Sequence, residues 1–65
     1  MKILVNGAWR ETRYAELARA LEELGYRGSV VSTAVNGEFI ATAQRVNTLL
    51  TEGDRVEVLA PMQGG

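Results

Sequence analysis

The chain opens on Ile3-Leu4-Val5, a short apolar run that is β-branched at two of three positions and reads as a strand. Asn6-Gly7 follows. That dipeptide favours a type I′ turn, because both central residues need φ > 0, so Ala8 to Glu11 is the predicted return strand. Its own alternation is too weak to set a register. Thr12 is a candidate helix cap, able to accept from free backbone N–H groups. From Arg13 to Leu24 the apolar positions take helical spacing: Tyr14, Leu17, Leu21 and Leu24 share one face, with Ala18 beside them. Glu16, Arg19, Glu22 and Glu23 point outward, and Arg19 and Glu23 are spaced for an i,i+4 pair. Gly25 is the expected left-handed terminator, with apolar Tyr26 after it.

Arg27-Gly28-Ser29 reads as a connector and Val30 to Val35 as a strand. Asn36-Gly37 is a second hairpin signal, with Glu38-Phe39-Ile40 returning. Thr42 to Leu50 carries Val46, Leu49 and Leu50, enough for one or two helical turns. Thr51-Glu52-Gly53-Asp54 is a turn. Arg55 to Ala60 is the last strand, with Val56 and Val58 on one face and Glu57 and Leu59 on the other. Pro61 cannot donate to a ladder and should end the pairing.

The element order is therefore β-β-α-β-β-(short helix)-β. One helix must cover one face of a sheet of four or five strands, an α+β arrangement that leaves the other face for solvent or a partner. Residues 1–60 form the predicted domain and 61–65 a flexible tail. Strand parity predicts what lies on the uncovered face. If Ile3, Val5, Val56 and Val58 point to the helix, Leu4, Glu57 and Leu59 point away. A two-residue turn at Asn36-Gly37 sets Val35 opposite Glu38, Ala34 opposite Phe39 and Thr33 opposite Ile40, and opposed residues share a face. With Val31, Thr33, Val35 and Ile40 inward, Leu4, Ala34, Phe39 and Leu59 form an exposed apolar patch flanked by Arg55 and Glu57. Isolated exposed apolar residues are normal and need no function, but a contiguous patch marks an interaction site. Trp9 suits either the core edge or the surface.

Composition narrows the chemistry. The 65 residues include no Cys and no His. Disulfides, thiol chemistry, zinc fingers and imidazole bases are thereby excluded. The carboxylate pairs Glu22-Glu23 and Glu52/Asp54 lack the ligand count of a metal site. With 46 % apolar and 23 % charged residues the chain is globular, and 7 basic against 8 acidic residues give no basic face for nucleic acid. No apolar run reaches the roughly 18–20 residues of a membrane span. The first residues lack the long apolar stretch of a signal peptide, so a cytoplasmic location is expected.

The sharpest feature is the end, Gly64-Gly65 after a final strand. A terminal Gly-Gly alone is weak, since termini fray and Gly is common. Context strengthens it. Lys2-Ile3-Leu4-Val5-Asn6-Gly7, Leu21-Glu22-Glu23-Leu24-Gly25, Ala34-Val35-Asn36-Gly37-Glu38, and Glu52-Gly53-Asp54-Arg55-Val56-Glu57-Val58 through Gln63-Gly64-Gly65 span the chain. In that order the chain resembles the β-grasp, ubiquitin-like sulfur carriers, and among them the ThiS family of thiamine biosynthesis. The resemblance implies that a ThiF-like, ATP-dependent enzyme adenylates the Gly65 carboxyl. A cysteine-desulfurase-type donor then supplies sulfur, and the thiocarboxylate serves a ThiG-like thiazole synthase. It also implies that partners read Met62, Gln63 and Gly64 and dock on the uncovered sheet face. It implies, further, a protein that binds no cofactor and is a cosubstrate rather than an enzyme.

Physical reasoning supports a working tail independently. A free α-carboxylate has a pKa of about 3.3–3.7, so it is ionised at neutral pH and must be activated before it accepts sulfur. Glycine has no Cβ to block a narrow channel. Five residues, 61–65, reach about 16–18 Å when extended, enough to enter a partner's active site while the body stays outside. No nucleophile–base pair is evident elsewhere. The rival readings are the small subunit of molybdopterin synthase, expected to be longer and loopier, a ubiquitin-like modifier ending in an isopeptide bond, and a plain binding module.

Overall fold

In the computed structural model, which describes residues 1–27 and 30–60, five strands form one mixed sheet against one short helix. The strands are β1 (Lys2–Val5), β2 (Ala8–Glu11), β3 (Ser32–Val35), β4 (Glu38–Ile40) and β5 (Arg55–Leu59), in the order β2-β1-β5-β3-β4. The helix α1 (Leu17–Leu21) runs into a wider π-type turn over Glu22–Tyr26, and a 3-10 helix spans Thr42–Asn47. The last strand lies in the middle, parallel to β1 and antiparallel to β3. Two hairpins flank a central closing strand and one helix crosses the sheet, which is the β-grasp arrangement.

Both hairpins form as their dipeptides require. Asn6 and Gly7 take φ of 50° and 84°, Asn36 and Gly37 take 51° and 85°, the left-handed pair that a type I′ turn needs. The second hairpin has the expected register, Val35 opposite Glu38 through Thr33 opposite Ile40. The first now has one as well, Val5 opposite Ala8 through Lys2 opposite Glu11. The strand expected over Val30–Val35 begins at Ser32, and Val30 is exposed. Of the connector Arg27-Gly28-Ser29, only Arg27 lies within the described residues.

The core is the inward side of β1, β3 and β5 under α1. Ile3, Val5, Val56 and Val58 meet Leu17, Ala20, Leu21 and Leu50, with Leu24, Tyr26, Val31, Val35 and Ile40 packed around them. Burying a Leu, Ile or Val side chain contributes about 1.5–3 kcal/mol, and Leu17, fully buried, sits at the centre. Two threonines are also buried, and both have hydrogen-bond partners. Thr33 Oγ1 donates to Ile40 O at 3.3 Å and accepts from Arg45 Nε at 3.2 Å, while Arg45 Nη2 donates to Val31 O at 2.6 Å. A residue of the 3-10 helix thus ties the entry to β3.

The helix departs from the sequence expectation at its start. It begins at Leu17 rather than Arg13, and Thr12 is not its cap; Glu16 holds that place in an extended conformation without a capping bond. The reason is tertiary. Leu50 N donates to Ala15 O at 2.7 Å and Leu17 N to Thr48 O at 2.9 Å, a short antiparallel bridge of Glu16 with Leu49 that holds Glu16 extended. Thr12 instead turns inward, accepting from Tyr14 N and donating to Glu23 Oε1 at 2.8 Å. Glu23 therefore pairs with Arg13, Nε to Oε2 at 2.7 Å, not with Arg19, whose guanidinium lies 5.3 Å from the Tyr14 ring centre. Of the apolar trio in the following segment, only Leu50 is buried; Val46 and Leu49 are exposed. At the other end Gly25 takes φ of 100°, the expected left-handed stop. Among the described residues no helix is long and apolar enough to cross a membrane.

Glu23 joins the chain before α1 to the turn after it, and its ionisation matters. Hydrogen bonds from the Arg13 side chain and backbone, and from Thr12, lower its pKa from 4.5 to about 2. Asp54 is lowered in the same sense by the Thr51 backbone N–H and the Asn36 amide. Both carboxylates ionise more readily folded than unfolded, so their contribution is present above their unfolded pKa values and lost on acidification. Thermal melts should show stability falling as pH drops from about 4.5 toward about 2. Glu23→Gln should be less stable at pH 7 and should flatten this limb. An unchanged acid limb in that variant would show that Glu23 does not set it.

Candidate functional site

The face of the sheet away from α1 follows from alternation on the central strand. Val56 and Val58 are buried, so Arg55, Glu57 and Leu59 point outward. Register carries this parity across. Leu4 stands beside Arg55 and opposite Trp9. Ala34 stands between Glu57 and Phe39, and Ser32 opposite Leu59. The six residues expected on this face, Leu4, Ala34, Phe39, Arg55, Glu57 and Leu59, all lie on it. Phe39 and Leu59 are 67 % and 65 % exposed, Leu4 and Ala34 half-buried.

The arrangement differs from the expectation in one respect and adds a residue to it. Arg55 and Glu57 do not flank the apolar residues but divide them, because β5 is central rather than peripheral. One apolar arm is Trp9–Leu4 and the other Ala34–Phe39, with Leu59 at the end of β5. Trp9, undecided from sequence, is 61 % exposed and belongs to the first arm. The signal was present: the two-residue turn at Asn6-Gly7 sets Leu4 opposite Trp9 by the same rule that set Ala34 opposite Phe39.

Chemically the face combines exposed apolar side chains with a charged central strip. Among the described residues, neither Arg55 nor Glu57 is in a salt bridge, so both heads are free to pair with a partner and set its register. No group of three His, Cys, Asp or Glu could hold a metal among the described residues. A shallow depression is lined by Leu4, Asn6, Gly7, Arg55, Val56 and Glu57, beside the first residues of β5. The expectations placed on Pro61, Met62, Gln63, Gly64 and Gly65 fall outside the described residues.

The ThiS family matches residues 3–65. A crystal structure of the thiamine biosynthesis protein ThiS from Geobacter metallireducens superposes with a TM-score of 0.80 at 30 % identity, and each chain is covered over 100 % of its length. A comparison with curated proteins gives no match.

Because Phe39 and Trp9 stand on the uncovered face, replacing them should leave the fold intact. Phe39→Arg and Trp9→Ser are each expected to change unfolding free energy by no more than about 0.5 kcal/mol in urea titrations. A loss of several kcal/mol in either would place that side chain in the core.

Proposed function

The chain belongs to the ThiS family, and on that footing we propose that it is a sulfur carrier of thiamine biosynthesis whose working group is the Gly65 carboxyl. The observation that carries this reading is a family match reaching through residue 65, on a fold whose central strand leads into Gly64-Gly65. The Geobacter metallireducens structure, similar over its whole length, supports thiamine rather than molybdenum cofactor as the pathway.

The chemistry then runs on partners. In a ThiF-like enzyme a carboxylate oxygen of Gly65 attacks the α-phosphorus of ATP, and pyrophosphate leaves. The resulting acyl adenylate is the electrophile that the free carboxylate is not. The terminal sulfur of a cysteine-desulfurase-type persulfide attacks its carbonyl carbon, and AMP leaves. A second thiol cleaves the remaining S–S bond, becoming part of a disulfide and releasing the thiocarboxylate. A ThiG-like thiazole synthase takes that sulfur. The chain's own part is to dock and to present. Leu4, Ala34, Phe39 and Leu59 supply apolar area, Arg55 and Glu57 supply orientation, and Met62, Gln63 and Gly64 are the segment the partner reads.

Intact mass tests the reading. Co-expression with the activating enzyme and sulfur donor should add the mass difference of one oxygen replaced by sulfur, and a residue appended after Gly65 should abolish the shift. Higher-mass conjugates would identify a modifier instead, and an unchanged mass with active partners would refute both. The docking face has its own test. Phe39→Arg should weaken binding to the activating enzyme by more than about 1 kcal/mol in calorimetric titration; unaltered affinity would remove this face from the interface.

A further inference from the structure

Val58 is the last inward-facing residue of β5 and stands three positions before Pro61. In a parallel pair alternate residues of a strand turn both N–H and C=O toward the same neighbour. Val56 faces β1 in this way, accepting from Asn6 N at 3.0 Å, and Val58 is next in line. A straight β1 would offer Val58 its following peptide groups. It cannot, because the chain reverses at Asn6-Gly7.

The side chain of Asn6 fills the gap. Its Oδ1 accepts from Val58 N at 2.8 Å and its Nδ2 donates to Val58 O at 3.0 Å. One carboxamide makes both contacts of the missing backbone. At the other end of β5, Asn36 plays a related part toward Arg55. Its backbone N donates to Arg55 O at 2.7 Å, and its Oδ1 accepts from Arg55 N at 3.0 Å. The two asparagines hold opposite ends of one strand, and only Asn6 is at the end that leads to the tail.

We propose that Asn6 is a positioning residue for activation of the Gly65 carboxyl. It holds the β1 edge of the last residues of β5, whose other edge pairs with Ser32 and Thr33 of β3, so that the chain leaves the sheet from a fixed point relative to the docking face. This deepens the sulfur-carrier reading and rests on it. A partner that grips Leu4, Phe39 and Leu59 locates the carboxylate only through Leu59 and Ala60. If the end of β5 parts from β1, the grip on Leu4 and Phe39 survives and the registration is lost. Misplacing a reacting group by about 1 Å can cost about 10²-fold in rate.

The test is ATP–pyrophosphate exchange by the activating enzyme with the full chain as substrate. It reports attack of the Gly65 carboxylate on ATP with pyrophosphate as leaving group. Asn6→Gly keeps the left-handed turn and removes both side-chain bonds. It should lower kcat at least about tenfold and leave KM for the carrier within about twofold, with faster amide hydrogen exchange at Val58. Asn36→Gly, which removes the side-chain bond of the other clamp, should lower Tm comparably but leave kcat in place. Asn6→Asp, which retains an acceptor for Val58 N–H and loses the donor, should fall between wild type and Asn6→Gly, and serves as the test if Asn6→Gly does not fold. Wild-type kcat with an exposed Val58 amide would overturn the proposal, as would equal kcat losses in the two glycine variants. No exchange with the unaltered chain would instead refute the carrier reading, and this proposal with it.

Discussion

A strand at the centre of a sheet must satisfy its backbone on both edges, and in a chain of 65 residues the neighbours are barely long enough to do it. β5 is that strand. β1 pairs with it through only two registered positions, Leu4 with Arg55 and Val5 with Val56, before the chain turns away. β3 pairs along four. Asn6 and Asn36 make up the shortfall. Each sits where a type I′ turn already requires a residue tolerant of φ > 0, and each turns its amide back onto β5. Gly would permit either turn and could make neither bond. One residue type thus meets a conformational demand and a hydrogen-bonding demand at the same position.

The parts of the fold set by local chemistry were legible in the sequence. Asn6-Gly7 and Asn36-Gly37 announced both hairpins, and the two-residue spacing fixed the second register to the residue. Alternation on the last strand placed Val56 and Val58 inside. What was not legible depended on residues far along the chain. The helical periodicity from Tyr14 to Leu24 is real, yet Glu16 remains extended and the helix waits until Leu17, because Thr48 and Leu50 bond Leu17 and Ala15. No local pattern announces a bond partner more than thirty positions away. The same limit hid the asparagine clamps: Asn6 bonds a residue 52 positions on, Asn36 one 19 positions on. Trp9 is a different case, because the two-residue turn at Asn6-Gly7 sets it opposite Leu4 just as the turn at Asn36-Gly37 sets Phe39 opposite Ala34.

The site divides in the same way. Parity exposed Leu4, Ala34, Phe39 and Leu59, because alternation is local. That Arg55 and Glu57 lie between the apolar arms is topological information, available only once β5 is known to lie in the middle. The consequence for docking is concrete. A partner must offer two apolar contacts separated by a polar strip, and a mismatched strip leaves Arg55 or Glu57 desolvated without a counter-charge, which is costly. In the proposed docking role, selectivity among partners rests on the strip and affinity on the arms.

A five-residue segment ending in two glycines offers a partner little area to hold, and fixing glycine in one conformation costs more entropy than fixing any other residue. Binding energy must therefore come from elsewhere and be spent on orienting the carboxylate, as remote contacts are spent in any well-placed reaction. In the proposed carrier role the sheet face supplies that energy, but it can orient only what is rigidly joined to it. That makes the join, the last residues of β5, as consequential as the face or the carboxylate. It also explains why a protein without Cys or His can serve sulfur chemistry: the demands on the folded body are mechanical, and they are met by a buried valine row, a paired strand and the amide groups of two asparagines.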